Sequence, residues 1–254
     1  MKNLILSVLF TLQFFSIIPV HREIEPTPSR VRASLSWLPV IGLGFGAVNL
    51  LFITALQPVM SPVTLVIVAL TIPIVLSGGL HLDGLMDTGD AYFSYKERDK
   101  RLDVMKDPRT GAFGVLVLLA VLALRFVFMY ESFRSEASAL WLLVLIPALA
   151  RVAMVGVLGH VPSAKNTGLS SFFQQSYRTG VTWSLAAMSV FLLFGASLLT
   201  SLNVSIALGV AAIAGIFMIK MWSLRAFGGI TGDVCGAALE GMVTLLWLIV
   251  WIFI

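Results

Sequence analysis

Charge is scarce in this chain. Asp, Glu, Lys and Arg make up 12% of its 254 residues, where a soluble domain carries about 25%. With 58% hydrophobic residues and a mean hydropathy of +0.97, a water-soluble fold is excluded, and no polar stretch is long enough to form a separate soluble domain. Cysteine is nearly absent: Cys235 stands alone, so no intrachain disulfide can form and a redox role is not expected. A signal-peptide cleavage site is also lacking, because the first apolar run ends in Ile18-Pro19-Val20-His21 rather than in small residues, and that segment is expected to be retained. The net charge of +4 implies no nucleic-acid partner, since basic residues at the cytoplasmic ends of membrane spans account for it.

What is present is a series of apolar runs. Measured against the roughly 20 residues needed to cross a bilayer, eight segments qualify as candidates: 3–20, 35–57, 61–80, 113–131, 137–158, 181–200, 203–222 and 237–254. The first is short and carries Gln13. In lipid each run must satisfy its own backbone hydrogen bonds, so the expected fold is all-α, a polytopic bundle of about seven to eight transmembrane helices. The whole chain, 1–254, reads as a single membrane-embedded catalytic domain. Long connections (21–34, 81–112, 159–180, 223–236) alternate with short ones, and the long ones with their flanks hold thirteen Lys and Arg against two on the other side, Lys2 and Arg134. The long loops are therefore cytoplasmic, and both termini lie outside if all eight segments span. Arg125 and Arg151 fall inside spans.

The chemistry concentrates between Ser77 and Gly114. His81, Asp83, Asp87 and Asp90 occupy ten residues, and at about 3.6 residues per turn the three aspartates share a helical face. Stacked carboxylates repel unless cations lie between them, and a hard divalent ion with oxygen ligands is the natural neutraliser. A solvated helix end explains one aspartate, and three aligned ones beside His81 less readily. His81 is open as ligand, general base or hydrogen-bonded helix-end residue. Behind them lie Lys96, Arg98, Lys100, Arg101, Lys106 and Arg109 with Asp99, Asp103 and Asp107. Positive-inside topology alone explains the bases. It does not explain Asp103 and Asp107 at i,i+4 spacing beside Lys106 and Arg109, where a guanidinium grips phosphate bidentately and an ammonium acts as a point charge.

A second constellation runs from Gly228 to Glu240: GGITGDVCGAALE. Small residues let backbone approach a ligand or a neighbouring helix, but Asp233 and Glu240, seven apart on one face, need a further reason. Gly78-Gly79…Asp83 and Gly228-Gly229…Asp233 echo each other as a glycine pair at a cytoplasmic helix end followed by aspartate; a pseudo-repeat would place both at one site. Gly42-x-Gly44-x-Gly46 sits within a span and reads as helix packing.

These motifs carry a family resemblance. Gly78-Gly79-Leu80-His81-Leu82-Asp83-Gly84-Leu85-x-Asp87-Thr88-x-Asp90, then Met105-Lys106-Asp107-x-Arg109-x-Gly111, then Thr231-Gly232-Asp233-x-x-Gly236-Ala237-x-x-Glu240 resemble the cobalamin synthase (adenosylcobinamide-GDP ribazoletransferase) family over the whole length. The pattern departs in two places. Phe15-Ser16-Ile17-Ile18-Pro19 keeps only the proline of a Thr-Arg-x-Pro, and Ser163-Ala164-Lys165 before Gly168-Leu169-Ser170 stands for a Tyr-Ala-Arg before Gly-Leu-Gly.

The resemblance implies a Mg²⁺-dependent transfer at a pyrophosphate, in which the 5′ end of α-ribazole or its 5′-phosphate attacks the cobinamide-side phosphorus of adenosylcobinamide-GDP and GMP leaves. On that reading Asp83, Asp87 and Asp90 hold the metal. Asp103, Asp107 or His81 takes the nucleophile's proton, and Lys106 and Arg109 stabilise transition-state charge. Thr231, Asp233, Glu240, Lys96 and Arg98 contact substrate. The implied setting is a multi-pass protein of the prokaryotic cytoplasmic (inner) membrane with its site facing the cytoplasm. Its partners would be small-molecule substrates and the bilayer, with room for a homo-oligomer or for association with other cobalamin-pathway enzymes. Two alternatives share some of these features. A CDP-alcohol phosphatidyltransferase-like or prenyltransferase enzyme also uses aspartates on membrane helices, but its acidic spacing differs. A metal or ion transporter would spread acids through the bilayer depth, whereas here only Glu131 and Glu136 lie on the outer side.

Overall fold

A computed structural model describes residues 2–94 and 97–254, the side chains of Lys2 and Asp99 excepted. It is an all-α bundle: α1 Lys2–Phe15, α2 Pro28–Leu56, α3 Pro62–Ser77, α4 Leu80–Phe93, α5 Arg98–Val104, α6 Ala112–Ser135, α7 Leu142–His160 after a 3₁₀ turn, α8 Leu169–Ser176, α9 Thr179–Leu199, α10 Leu202–Phe227 and α11 Gly232–Phe253. Local chemistry sets many of the boundaries. Thr27, Ser61, Ser201 and Thr231 each accept an N–H from the first turn of the helix they open, and Pro28 and Pro62 follow two of these caps where a missing N–H costs nothing.

Among the described residues six helices are long and apolar enough to cross a membrane, or seven if α3 and α4 count as one broken span bent by 94°. The count of seven meets the lower end of the expected seven to eight. Segment 3–20 is the shortfall: α1 has 14 residues, about 21 Å of helix against a hydrocarbon core of about 30 Å. The outward placement of both termini depended on its spanning and loses that support. Segment 61–80 also differs, because the helix stops at Ser77 and turns. Gly78 and Gly79, with φ of 65° and 75°, adopt a left-handed conformation that costs a side-chain-bearing residue, and the chain leaves at nearly a right angle as α4.

α7 is the central post, with most of its residues buried. α2 lies directly on it: a Cβ at Gly42 would approach the Pro147 carbonyl oxygen at 2.7 Å, and Gly46 meets the backbone at Leu143 and Val144. The Gly42 and Gly46 pattern is therefore a packing seam, while Gly44 faces open space. The two glycine-pair segments converge. Gly228 ends α10 in the left-handed region at φ 78°, Ile230 pairs with Pro162 and Ala164 through backbone bonds of 3.0 and 2.8 Å, and α11 begins against α4.

Candidate active site

α4 and α11 cross in close contact, with aspartates on both helices. A Cβ on Gly236 would lie 2.9 Å from the His81 carbonyl oxygen, and one on Gly84 would lie 2.9 Å from the Asp233 Cα. Only glycine at these two places lets the first turns of both helices touch. Asp87 thereby comes within electrostatic range of Asp83, Asp233 and Asp90, carboxylates drawn from two helices. Among the described residues no ion pair involves Asp83, Asp87 or Asp233.

Beside this crossing opens a cavity of about 330 Å³. Asp83, Asp233, His81, Lys106, Lys165 and Thr231 line it on one part, and the apolar Leu35, Leu38, Met154 and Leu158 on another. His81 is 5% exposed and stacks on Phe15 at 6.4 Å and 17°; Phe15 in turn lies 5.6 Å from Phe173. The cavity thus has a charged part and an aromatic side. Thr231 is mainly the cap of α11, accepting from Val234 N–H at 3.1 Å, and its hydroxyl lies 3.4 Å from the Asp233 carboxylate.

Several expected residues take other places. Both carboxylate oxygens of Asp90 accept backbone N–H groups, from Gly111 and Gly114, at 2.8 Å each. Asp90 thus caps the N-terminus of α6, filling donors that a helix end leaves open. Among the described residues no three His, Cys, Asp or Glu side chains converge to hold an ion unaided, so the one-face triad is not a ready cage. Asp103 and Asp107 do not share a helical face, because α5 ends at Val104. Asp103 bonds Lys106 at 2.8 Å, and Asp107 grips Arg109 with bonds of 2.9 and 2.7 Å. These pairs are largely exposed. The Lys106 hydrogen bond and charge hold the Asp103 carboxyl below the usual carboxylate range, and the Asp107 hydrogen bonds raise Arg109 above its ordinary value.

Glu240 is two helical turns beyond Asp233 and away from the cavity. It is buried against Arg125 of α6 at 2.8 Å, and Arg125 also bonds the Glu240 carbonyl oxygen and the Thr244 hydroxyl. Arg98 lies against the backbone of Gly228, bracing α5 on the end of α10. Lys96 lies outside the described residues.

Sequence reasoning gave no site role to Phe15, Phe173 or Ser170, which the cavity gathers from two distant helices, α1 and α8. Lys165 was legible only as the residue standing at a family arginine. Its ammonium bonds the Leu102 carbonyl oxygen at 3.1 Å, and burial, followed by the neighbouring Lys106, lowers its pKa from the ordinary lysine value.

Comparison with known proteins is consistent along the chain. The family model described as Cobalamin-5-phosphate synthase matches residues 7–251. The chain is 37% identical over 253 residues to a protein of Geobacillus thermodenitrificans named adenosylcobinamide-GDP ribazoletransferase, covering 96% of this chain and 94% of the relative. A protein of the same name from Pseudomonas syringae pv. syringae is 35% identical over 235 residues, covering 90% and 92%. No solved structure matches.

Proposed function

The chain belongs to the cobalamin-5-phosphate synthase family, and on that premise we propose that it joins adenosylcobinamide-GDP to α-ribazole or its 5′-phosphate. In this reaction an oxygen at the 5′ end of the ribazole bonds to the cobinamide-side phosphorus. The phosphorus–oxygen bond to GMP breaks, the nucleophile's proton passes to a base, and GMP leaves with the bridging oxygen. The observation that carries the reading is a cavity lined by Asp83 and Asp233 together with Lys106 and Lys165, with Asp87 within electrostatic range of both aspartates. Unpaired carboxylates beside lysines suit a pyrophosphate bound through a cation.

The donor set fits magnesium. It is all carboxylate oxygen, and Mg²⁺ is typically held by one or two carboxylates, several waters and substrate phosphates rather than by a closed protein cage. An incomplete ligand set in the free protein agrees with that habit. Asp83, Asp87 and Asp233 would hold a Mg²⁺ that would supply positive charge against the pyrophosphate and the departing GMP, with Asp90 occupied at α6. Lys106 and Lys165 supply further positive charge at the cavity. His81, whose imidazole lines the cavity, is our candidate to take the nucleophile's proton.

A volume of about 330 Å³ lies at the low end for small-molecule sites. It suits the smaller, aromatic ribazole against Phe15, Phe173 and His81, and leaves the corrin ring over the mouth. The thirteen-to-two distribution of bases supports a mouth that faces the cytoplasm, and we assign the protein to a prokaryotic inner membrane on the family reading. Turnover by bilayer-reconstituted protein tests the reading. GMP and a completed corrinoid should form with Mg²⁺, and not with EDTA or in Asp83→Ala. Product formation that ignores both changes would refute the metal assignment, and no product under any condition would refute the activity.

A further inference from the structure

On the face of α4 away from the cavity lies a second hollow of about 320 Å³, apolar but for Thr88 and the polar edges of Tyr92 and Trp222, between α6 and α10 with α11 as its floor. It is open because small residues line it: Gly89, Ala237, Ala238 and Gly241 leave a slot, and a Cβ added at Gly241 would meet nothing within 4 Å. At its end, Tyr92 and Trp222 are shared with an adjoining hollow of about 560 Å³ that contains Arg101 and Arg225. Arg225 is exposed, and no ion pair involves either arginine among the described residues. Arg101 lies 5.2 Å over the Tyr92 ring and bonds the Ala226 carbonyl oxygen at 3.2 Å, which leaves its Nε buried without a partner. Within the apolar slot the Thr88 hydroxyl is also buried and unpartnered, its residue 2% exposed.

We infer that this continuous groove holds one anionic phospholipid of the surrounding bilayer. Its phosphate lies on Arg101 and Arg225, its glycerol region passes Tyr92 and Trp222, and an acyl chain fills the slot. The chemistry fits at each level. Basic hollows between membrane helices at the cytoplasmic side recruit anionic headgroups, aromatic side chains with a polar edge favour the headgroup–tail boundary, and an apolar slot bounded by lipid-facing helices takes a hydrocarbon chain. Thr88 offers an unused hydrogen bond to an ester carbonyl. Because Thr88 follows Asp87, a lipid seated here braces the outer face of the helix whose inner face carries the carboxylates. The lipid binding stands independently of the reaction.

Native mass spectrometry of the detergent-extracted full chain, offered equal phosphatidylglycerol and phosphatidylcholine, tests it. Wild-type protein should retain one phosphatidylglycerol and prefer it over phosphatidylcholine by at least about five-fold, the factor expected per basic contact. Arg225→Gln should lose about five-fold of that preference. Gly241→Leu, which fills the slot at a site with free space, should retain neither lipid. Equal retention of the two lipids by wild type, or unchanged retention in either variant, would overturn the proposal. Turnover is measured separately, so failure of the lipid site and failure of the transferase reading are distinguishable.

Discussion

Gly84 and Gly236 lie against each other where α4 crosses α11, a Cβ on Gly236 falling 3.4 Å from the Gly84 Cα. This contact puts Asp233 of one helix beside Asp83 and Asp87 of the other. Gly236→Leu should force the helices apart, with a stability loss of about 1–3 kcal/mol and a larger loss of turnover, because the carboxylates separate. Thermal unfolding and turnover on the same preparation check this; unchanged turnover would show that the crossing does not set the site.

The aspartates of α4 should divide by role. Asp90→Ala removes acceptors for Gly111 and Gly114 N–H and should cost about 1 kcal/mol, as other helix caps do, with little change in the Mg²⁺ concentration for half-maximal activity. Asp83→Asn and Asp87→Asn should raise that concentration at least about 10-fold. Magnesium titrations of the three variants decide, and equal shifts in all three would return Asp90 to the metal.

The Arg125–Glu240 pair is buried, so breaking it leaves one charge without a partner in the bundle. Glu240→Gln should destabilise by about 3–5 kcal/mol, whereas Arg125→Met with Glu240→Met should recover most of it. A double-mutant cycle in unfolding free energy measures this. If Glu240→Gln left stability intact but raised the substrate KM, Glu240 would be a substrate contact after all.

Lys165 loses its proton below the usual lysine pKa of about 10.4, chiefly through burial. Between its folded value and about 10.4 the unfolded chain binds more protons at this residue, so its contribution to stability rises with pH while the charge at the cavity disappears. The alkaline limb of kcat/KM should therefore move to higher pH in Lys165→Arg, whose guanidinium stays charged. Superimposable pH profiles would exclude Lys165 from substrate binding.

Where the sequence could be read, it was read through short-range rules. The Gly78-Gly79 and Gly228-Gly229 stops, the Thr231 cap and the Gly42/Gly46 seam are decided within a turn or two of chain. Lys106 and Asp103 show where that stops. Their spacing suggested a helical quartet with Asp107 and Arg109, but α5 ends at Val104, and each base then pairs with its nearest acid. Asp90 and Glu240 fooled the one-face argument for another reason. A carboxylate on the expected face is equally able to meet a helix N-terminus or a buried arginine, and only the neighbouring helix decides which.

By itself the sequence determined that the chain is a multi-pass helical membrane protein whose acids and bases crowd in the long connections, and it showed two glycine-aspartate segments that echo each other. Apolar run length, charge asymmetry and backbone freedom act locally and survive any arrangement of the helices. The tertiary structure alone decided that Asp233 comes up beside Asp83 and Asp87 while Asp90 is taken up by the N-terminus of α6, and that Phe15, Phe173 and Lys165 border the cavity. Those outcomes depend on which helices touch and at what angle, and the close approach of α4 to α11 through Gly84 and Gly236 is a property of two surfaces that neither segment contains alone.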